Sequence, residues 1–164
     1  MKQQQATAGA STVVDATVET LESAPAPLRP RPAARTCPRI LLAEDDQQMR
    51  NFLRDALTAG GYRVIPCENG WELLSHLGSY ILGSEDHEDI AAVVSDVRMP
   101  GVNGLEVLAG GVGCREFPPM ILITAFGDQR VHDEARHNGA WTVLDKPFDV
   151  DDLLFELALI APPS

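Results

Sequence analysis

Reactive side chains fall at the ends of separate apolar runs in this 164-residue chain. Asp45 and Asp46 come after the run Ile40–Ala43, and Asp96 directly follows Ile90–Ser95. Thr124 closes Met120–Thr124, and Lys146 comes just after Trp141–Leu144. Brought together, three carboxylates repel one another, and proteins relieve that by protonation or with a cation. Oxygen-only ligands with room for several waters suit Mg2+, a hard octahedral ion that favours phosphate-bearing partners. Asp96 would then be a nucleophile toward phosphorus, giving an acyl phosphate. The cation, the Lys146 ammonium and backbone amides would neutralise charge on the equatorial oxygens. Thr124 could donate its hydroxyl to a phosphoryl oxygen only after transfer, as a reporter of the modified state. Lys146 is the only lysine after Lys2 in a chain that otherwise uses arginine. A compact point charge at that place suits a phosphate contact.

The elements that must position these groups are legible from Arg39 onward. Met49, Phe52, Leu53, Ala56 and Leu57 fall on one face of a helix, which Gly60-Gly61 stops. Tyr62–Cys67 is predicted as a second strand and Trp71–Leu82 as a helix, followed by an acidic loop over Glu85–Asp89. A third strand over Ile90–Ser95 delivers Asp96, and a short helix over Gly104–Ala109 runs into Gly110, Gly111 and Gly113. Met120–Thr124 is the fourth strand, Asp128–Asn138 a helix closed by Gly139, and Trp141–Leu144 the fifth strand. Asp149 with Asp152 resembles a capping box for a last helix over Val150–Ile160. Five such βα units with near-continuous apolar strands imply an α/β fold, a parallel sheet covered by helices on both faces. In that architecture binding groups gather at the carboxyl ends of the strands, near the topological switch point. The two aspartates, Asp96, Thr124 and Lys146 would therefore converge on one pocket.

Composition narrows the function. The net charge of −11 is unevenly placed. Residues 1–36 carry four basic against three acidic side chains, whereas residues 37–164 carry nine against twenty-one, a net of −12. Such a surface repels phosphate backbones, so direct nucleic-acid binding is not expected. Cys37, Cys67 and Cys114 form no CxxC pair and read as reduced thiols, which points to a cytoplasmic protein. The start of the chain lacks the compact apolar stretch of a secretory signal, and no apolar run reaches membrane-spanning length. Residues 1–37 read as a disordered Pro/Ala/Arg-containing tail, since its prolines remove donors and restrict their predecessors. One domain over residues 38–162 follows.

The motifs Ala43-Glu-Asp-Asp46, Ser95-Asp-Val-Arg-Met-Pro-Gly101, Ile123-Thr-Ala125 and Asp145-Lys-Pro-Phe148 occur in this order at strand ends. In that combination the chain resembles the response-regulator receiver family of two-component signalling, over about residues 38–161. The resemblance implies a flavodoxin-like, doubly wound five-stranded parallel sheet of order 2-1-3-4-5. It implies phosphorylation of Asp96 by a histidine kinase or phosphotransfer protein, with Mg2+ held by Asp45, Asp46, Asp96 and the backbone carbonyl of Arg98. It also implies a cis bond before Pro147, aiming Lys146 into the pocket. Output would pass to a further protein target through protein–protein contact, and the family admits a phosphorylation-dependent dimer. The chain closes soon after the last helix, which is the expectation for a single-domain regulator.

Plainer readings exist for each residue taken singly. Asp46 can cap the first helix, Asp96 can serve an Asx turn before Met99-Pro100-Gly101, and Thr124 can be an ordinary strand residue. None of these explains the set. Glu44 reads as a bystander to the acidic pair, and His132 and His137 as solvated helix positions without metal-pair spacing. Two departures from the family pattern stand out. Val143 occupies the place of a switch aromatic, and Trp141, on the same strand face, is expected to substitute in part. Arg98 and Phe126, two residues beyond Asp96 and Thr124, are expected to restrict the hydrolytic water and prolong the phosphoryl group's life. Two other function classes compete: a pseudo-receiver that is never phosphorylated, and an Asp-nucleophile phosphohydrolase. The complete residue set argues against the first. Arg98, standing where the second needs a general-acid aspartate, argues against the other.

Overall fold

The computed structural model describes residues 37–83, 89–125 and 127–163. Phe126, most of the acidic loop after the second helix and the tail up to residue 36 lie outside the described residues. Among the described residues ten elements alternate: β1 (Arg39–Ala43), α1 (Gln47–Ala59), β2 (Arg63–Cys67), α2 (Gly70–Ile81), β3 (Ala92–Asp96), α3 (Gly104–Gly110), β4 (Met120–Thr124), α4 (Gln129–His137), β5 (Thr142–Asp145) and α5 (Val150–Ile160). The strands form one parallel sheet of order β2-β1-β3-β4-β5.

Strand alternation splits the core into two layers. Leu41, Val93, Met120 and Leu122 point to one face with Leu73 and Leu77 of α2, Leu105 and Leu108 of α3, and Ala135 of α4. Ile40, Leu42, Val94, Ile121 and Ile123 point to the other, against Leu53 and Leu57 of α1 and Leu153 and Leu157 of α5. The three central strands are therefore apolar on both sides, as a covered parallel sheet requires. Pro66 sits in β2, an edge strand, where a missing amide leaves no ladder bond open.

Each helix start has a polar cap. Asp46, Asn69, Asn103, Asp128 and Asp149 all accept a backbone N–H from the first turn of the helix they precede. The reciprocal capping box lies at α3, where Asn103 and Glu106 satisfy each other's amides. At α5, Asp149 accepts from the amide of Asp151, not Asp152, so the expected box there is a simple cap.

Cys67 is fully buried at the end of β2, and burial pushes its thiol up to about 12. The thiol, not the thiolate, then prevails near neutrality, and such a group is inert. In the folded protein at pH 8, a maleimide should modify exposed Cys37 while Cys67 stays unlabelled until urea is added, as peptide mapping would show. Equal labelling rates for the two would contradict this packing.

Candidate functional site

The sheet changes winding direction between β1 and β3, so the loops that follow them leave toward opposite faces and open a crevice. β3 ends on Asp96, which is buried, and β4 ends on buried Thr124 one residue past Ile123, the ladder partner of Asp96. The Lys146 amide donates to the Thr124 carbonyl at 2.7 Å, which carries β5 alongside and sets the lysine at the same edge. The Lys146–Pro147 bond is cis.

Lys146 Nζ lies 2.7 Å from Asp96 Oδ2 and 2.8 Å from Glu44 Oε2. The remaining oxygens are also held: Asp96 Oδ1 accepts from the Arg98 amide at 2.8 Å, and Glu44 Oε1 from the Asp46 amide at 3.3 Å. Burial raises the Glu44 pKa, and nearby Asp96 adds to this, against the opposing pull of the Lys146 hydrogen bond. Burial acts the other way on Lys146, but its bonds to Asp96 and Glu44 outweigh it and hold the ammonium above its ordinary value.

Carboxylate oxygens of Glu44, Asp45 and Asp96 lie within 4.8 Å of one another. The expected grouping was Asp45, Asp46 and Asp96, and the structure shifts it by one residue. Asp46 turns away to cap α1, with Oδ1 accepting from the Met49 amide at 2.7 Å. Glu44, read from sequence as a bystander, is only 1% exposed and forms one wall of the pocket. The extended backbone continues past Ala43, since the Glu44 amide still donates to the Cys67 carbonyl, and the Glu44 carboxylate is held in the pocket by Lys146 Nζ. The cluster is a set of hard carboxylate oxygen donors, a donor set that fits Mg2+.

Arg50 was not singled out from the sequence. It is a buried guanidinium on α1 whose Nη1 donates to the carbonyls of Glu44 (2.7 Å) and Asp45 (3.3 Å), while Nη2 pairs with Glu68 at 3.0 Å. Its spacing with Leu53 and Leu57, the other buried positions of α1, was the available signal. Phe52, placed on the core face by periodicity, is instead 57% exposed.

Trp141 precedes β5, is about half exposed, and donates Nε1 to Glu156 of α5 at 2.8 Å. It lines a shallow recess with Val143, Thr142 and His132. His132 is not simply solvated: Nε2 lies 3.0 Å from Asp145 Oδ1, joining α4 to the end of β5. Arg98 is exposed beside the pocket, and the expectation for Phe126 falls on a residue outside those described.

A doubly wound parallel sheet with acids, a hydroxyl and an ammonium gathered at its carboxyl edge is a flavodoxin-like domain with its binding groups at the topological switch point. A family model described as the response regulator receiver domain matches residues 40–158, and the chain belongs to that family. Among curated relatives, the C4-dicarboxylate transport transcriptional regulatory protein DctD of Pseudomonas aeruginosa is 34% identical over 115 residues, 70% of this chain and 23% of that protein. The transcriptional regulatory protein TcrA of Mycobacterium tuberculosis is 32% identical over 123 residues, 75% of this chain and 46% of that one. The chain thus spans well under two thirds of the length of these relatives. Among solved structures, the Vibrio cholerae chemotaxis protein CheY4 shares the fold with a TM-score of 0.65 at 24% identity, covering 76% of this chain and 99% of that one. The Francisella response regulator 1452 receiver domain matches with a TM-score of 0.67 at 22% identity, covering 76% and 96%. Among the described residues no helix is long and apolar enough to cross a membrane.

Exchanging the acids one at a time separates pocket from cap. Asp45→Ala should raise the Mg2+ concentration needed for half-maximal labelling of the protein by a small phosphodonor about tenfold or more. Asp46→Ala should leave that concentration within about twofold while costing ~1 kcal/mol of stability in a urea melt, the worth of a helix cap. An effect of Asp46→Ala on that concentration as large as that of Asp45→Ala would restore the pair expected from sequence.

Proposed function

We infer that this chain is a phosphoacceptor switch in which Asp96 takes a phosphoryl group from a histidine kinase or phosphotransfer protein in a Mg2+-dependent reaction. The observation that carries this reading is the buried Asp96 carboxylate, 2.7 Å from Lys146 Nζ and clustered with Glu44 and Asp45. An Asp96 oxygen attacks phosphorus as the P–N bond of a phosphohistidine breaks, and the departing imidazole nitrogen keeps the electron pair and is neutralised by a proton. Asp45, Asp96 and Glu44 are the residues suited to hold Mg2+, with the Arg98 carbonyl as a further oxygen donor and Asp46 kept to its cap. Bound there, Mg2+ would supply positive charge to the phosphoryl oxygens and to the crowded carboxylates. Lys146 neutralises one Asp96 oxygen before transfer and can follow the charge onto a phosphoryl oxygen after it. Thr124 then donates its hydroxyl to another, and this reads out the modified state toward β5, Val143 and Trp141.

The domain promotes its own phosphorylation and dephosphorylation and is not an enzyme acting on a separate substrate. Its output is contact with another protein in the cytoplasm, a second phosphorylated copy included, and the acidic surface disfavours direct nucleic-acid contact. Incubation with acetyl phosphate and Mg2+, followed by intact-mass measurement, should show one added phosphoryl group that Asp96→Asn abolishes. An unchanged mass under both a small donor and a phosphohistidine donor would leave the chain as a non-phosphorylated interaction module. Arg98, exposed at the pocket mouth, should slow hydrolysis, so Arg98→Ala should shorten the label's half-life severalfold in a decay time course. An unchanged half-life would remove Arg98 from that role.

A further inference from the structure

We propose that Arg50 is a positioning residue for the cation site, acting through the main chain that carries Glu44 and Asp45. The proposal rests on the phosphoacceptor reading above and adds a residue to it. β1 makes its last ladder bond at the Glu44 amide, 3.2 Å from the Cys67 carbonyl, and the chain then leaves the sheet. Beyond that point the acids hang on a short connection before α1 begins. Arg50 reaches back across it from the first turn of α1. One nitrogen, Nη1, donates to the peptide carbonyls of both acids, Glu44 and Asp45, at 2.7 and 3.3 Å.

The other end of the fork is anchored outside the pocket. Nη2 pairs with Glu68 at 3.0 Å, and the Glu68 amide in turn donates to Glu72 on α2 at 2.8 Å. The connection after β1 is thereby braced against the one after β2. A planar guanidinium can serve carbonyls and a carboxylate at once in a fixed geometry, which a lysine ammonium cannot. Its side chain is 9% exposed, so a carbonyl stripped of this donor would be left buried and short of a partner. The peptide planes of Glu44 and Asp45 would then turn more freely, and with them the carboxylates that must meet Asp96.

The sign of the effect on Mg2+ distinguishes positioning from charge. A buried positive charge near the site repels a divalent cation, so removing it would tighten Mg2+ binding if charge were its main contribution. Loss of positioning would weaken binding, and outer contacts of this type are worth about 10–100-fold in metal affinity.

The test is calorimetric titration of Mg2+ into the full chain, unmodified and carrying Arg50→Met or Arg50→Lys. The methionine variant should bind Mg2+ about tenfold more weakly, and the lysine variant, despite its charge, should also bind more weakly than wild type. Labelling of Asp96 by acetyl phosphate at saturating Mg2+ should stay within about twofold of wild type, because the defect lies in holding the cation. Mg2+ binding equal to or tighter than wild type in the methionine variant would overturn the proposal. Should that variant lose its circular-dichroism melt, the lysine variant decides: weaker binding supports positioning, and wild-type binding overturns it. If wild type itself binds no Mg2+, the reading of the site fails. If wild type binds and the variants match it, only the role of Arg50 fails.

Discussion

Lys146→Met should slow labelling of Asp96 by a small phosphodonor by about 10²–10³, the usual cost of one donor aimed at developing charge. The same change should lower metal-free stability by about 3 kcal/mol at neutral pH. Both follow from one geometry. The ammonium sits between two buried carboxylates, 2.7 Å from Asp96 and 2.8 Å from Glu44, and its removal leaves them facing each other. Mg2+ should restore part of the lost stability, because a divalent cation can replace the missing positive charge. The pH dependence has a definite sign. The folded-state pKa of Lys146 lies above its ordinary 10.5, so its stabilisation is full below that value and fades as pH rises through the folded value. Burial raises Glu44, so its contribution is likewise present at low pH and lost as pH rises through the carboxylate range. Urea melts in EDTA should therefore show the methionine variant recovering toward wild type on acidification and lacking the lysine's alkaline limb. Cys67, raised to about 12, titrates in that alkaline range, so the limb is best read in a Cys67→Ala background. Equal stability of the two proteins at neutral pH would contradict the ion-pair arrangement.

Gly104→Ala should cost both stability and the labelling of Asp96. A Cβ at that position would collide with the carbonyl oxygen of Asp96 and lie 3.0 Å from Ser95 Oγ and 3.1 Å from Leu122 Cδ2. Two of these neighbours cannot swing aside. The Asp96 carbonyl is backbone, and Ser95 Oγ is held to it by a 2.9 Å hydrogen bond. The Gly104 amide donates to the Val97 carbonyl at 2.9 Å, so α3 cannot back off without breaking that bond. Overpacking of this sort costs roughly 1–3 kcal/mol. Because the clash falls on the peptide of Asp96 itself, labelling should also slow by about tenfold or more, as small misplacements of reacting groups do. Gly110→Ala is the control. It lies in the same helix with open space around it, and should be neutral or slightly stabilising. A labelling rate and urea midpoint for Gly104→Ala matching those of Gly110→Ala would refute the close contact.

Much of this site was legible because strand ends in a parallel sheet announce themselves. β4 and α5 fall where periodicity places them, at Met120–Thr124 and Val150–Ile160, and Asp96, Thr124 and Lys146 stand at the expected edge. The different grouping of carboxylates at the acid pair has a physical cause. Glu44, Asp45 and Asp46 are consecutive carboxylates across a strand-to-helix junction, and which of them face the pocket depends on where the strand ends to the residue. Propensity does not resolve a boundary that finely, whereas the ladder bond of Glu44 and the cap of Asp46 do. Arg50 escaped notice because a charged residue on a core stripe breaks the binary pattern used to find that stripe. Phe52 was misplaced for the converse reason, an apolar residue lying just outside it. His132 acquires its partner from β5, a contact between elements that no local pattern encodes.

Whether Asp96 is the carboxylate that takes up phosphorus can be read at the level of a single side chain. Labelling with acetyl phosphate and Mg2+, then reduction of the acyl phosphate with borohydride and peptide mapping, reads the modified position directly. A single reduced side chain is expected, at residue 96, and it should disappear when EDTA replaces Mg2+. Reduction at Glu44 or Asp45, or labelling indifferent to the cation, would contradict that assignment.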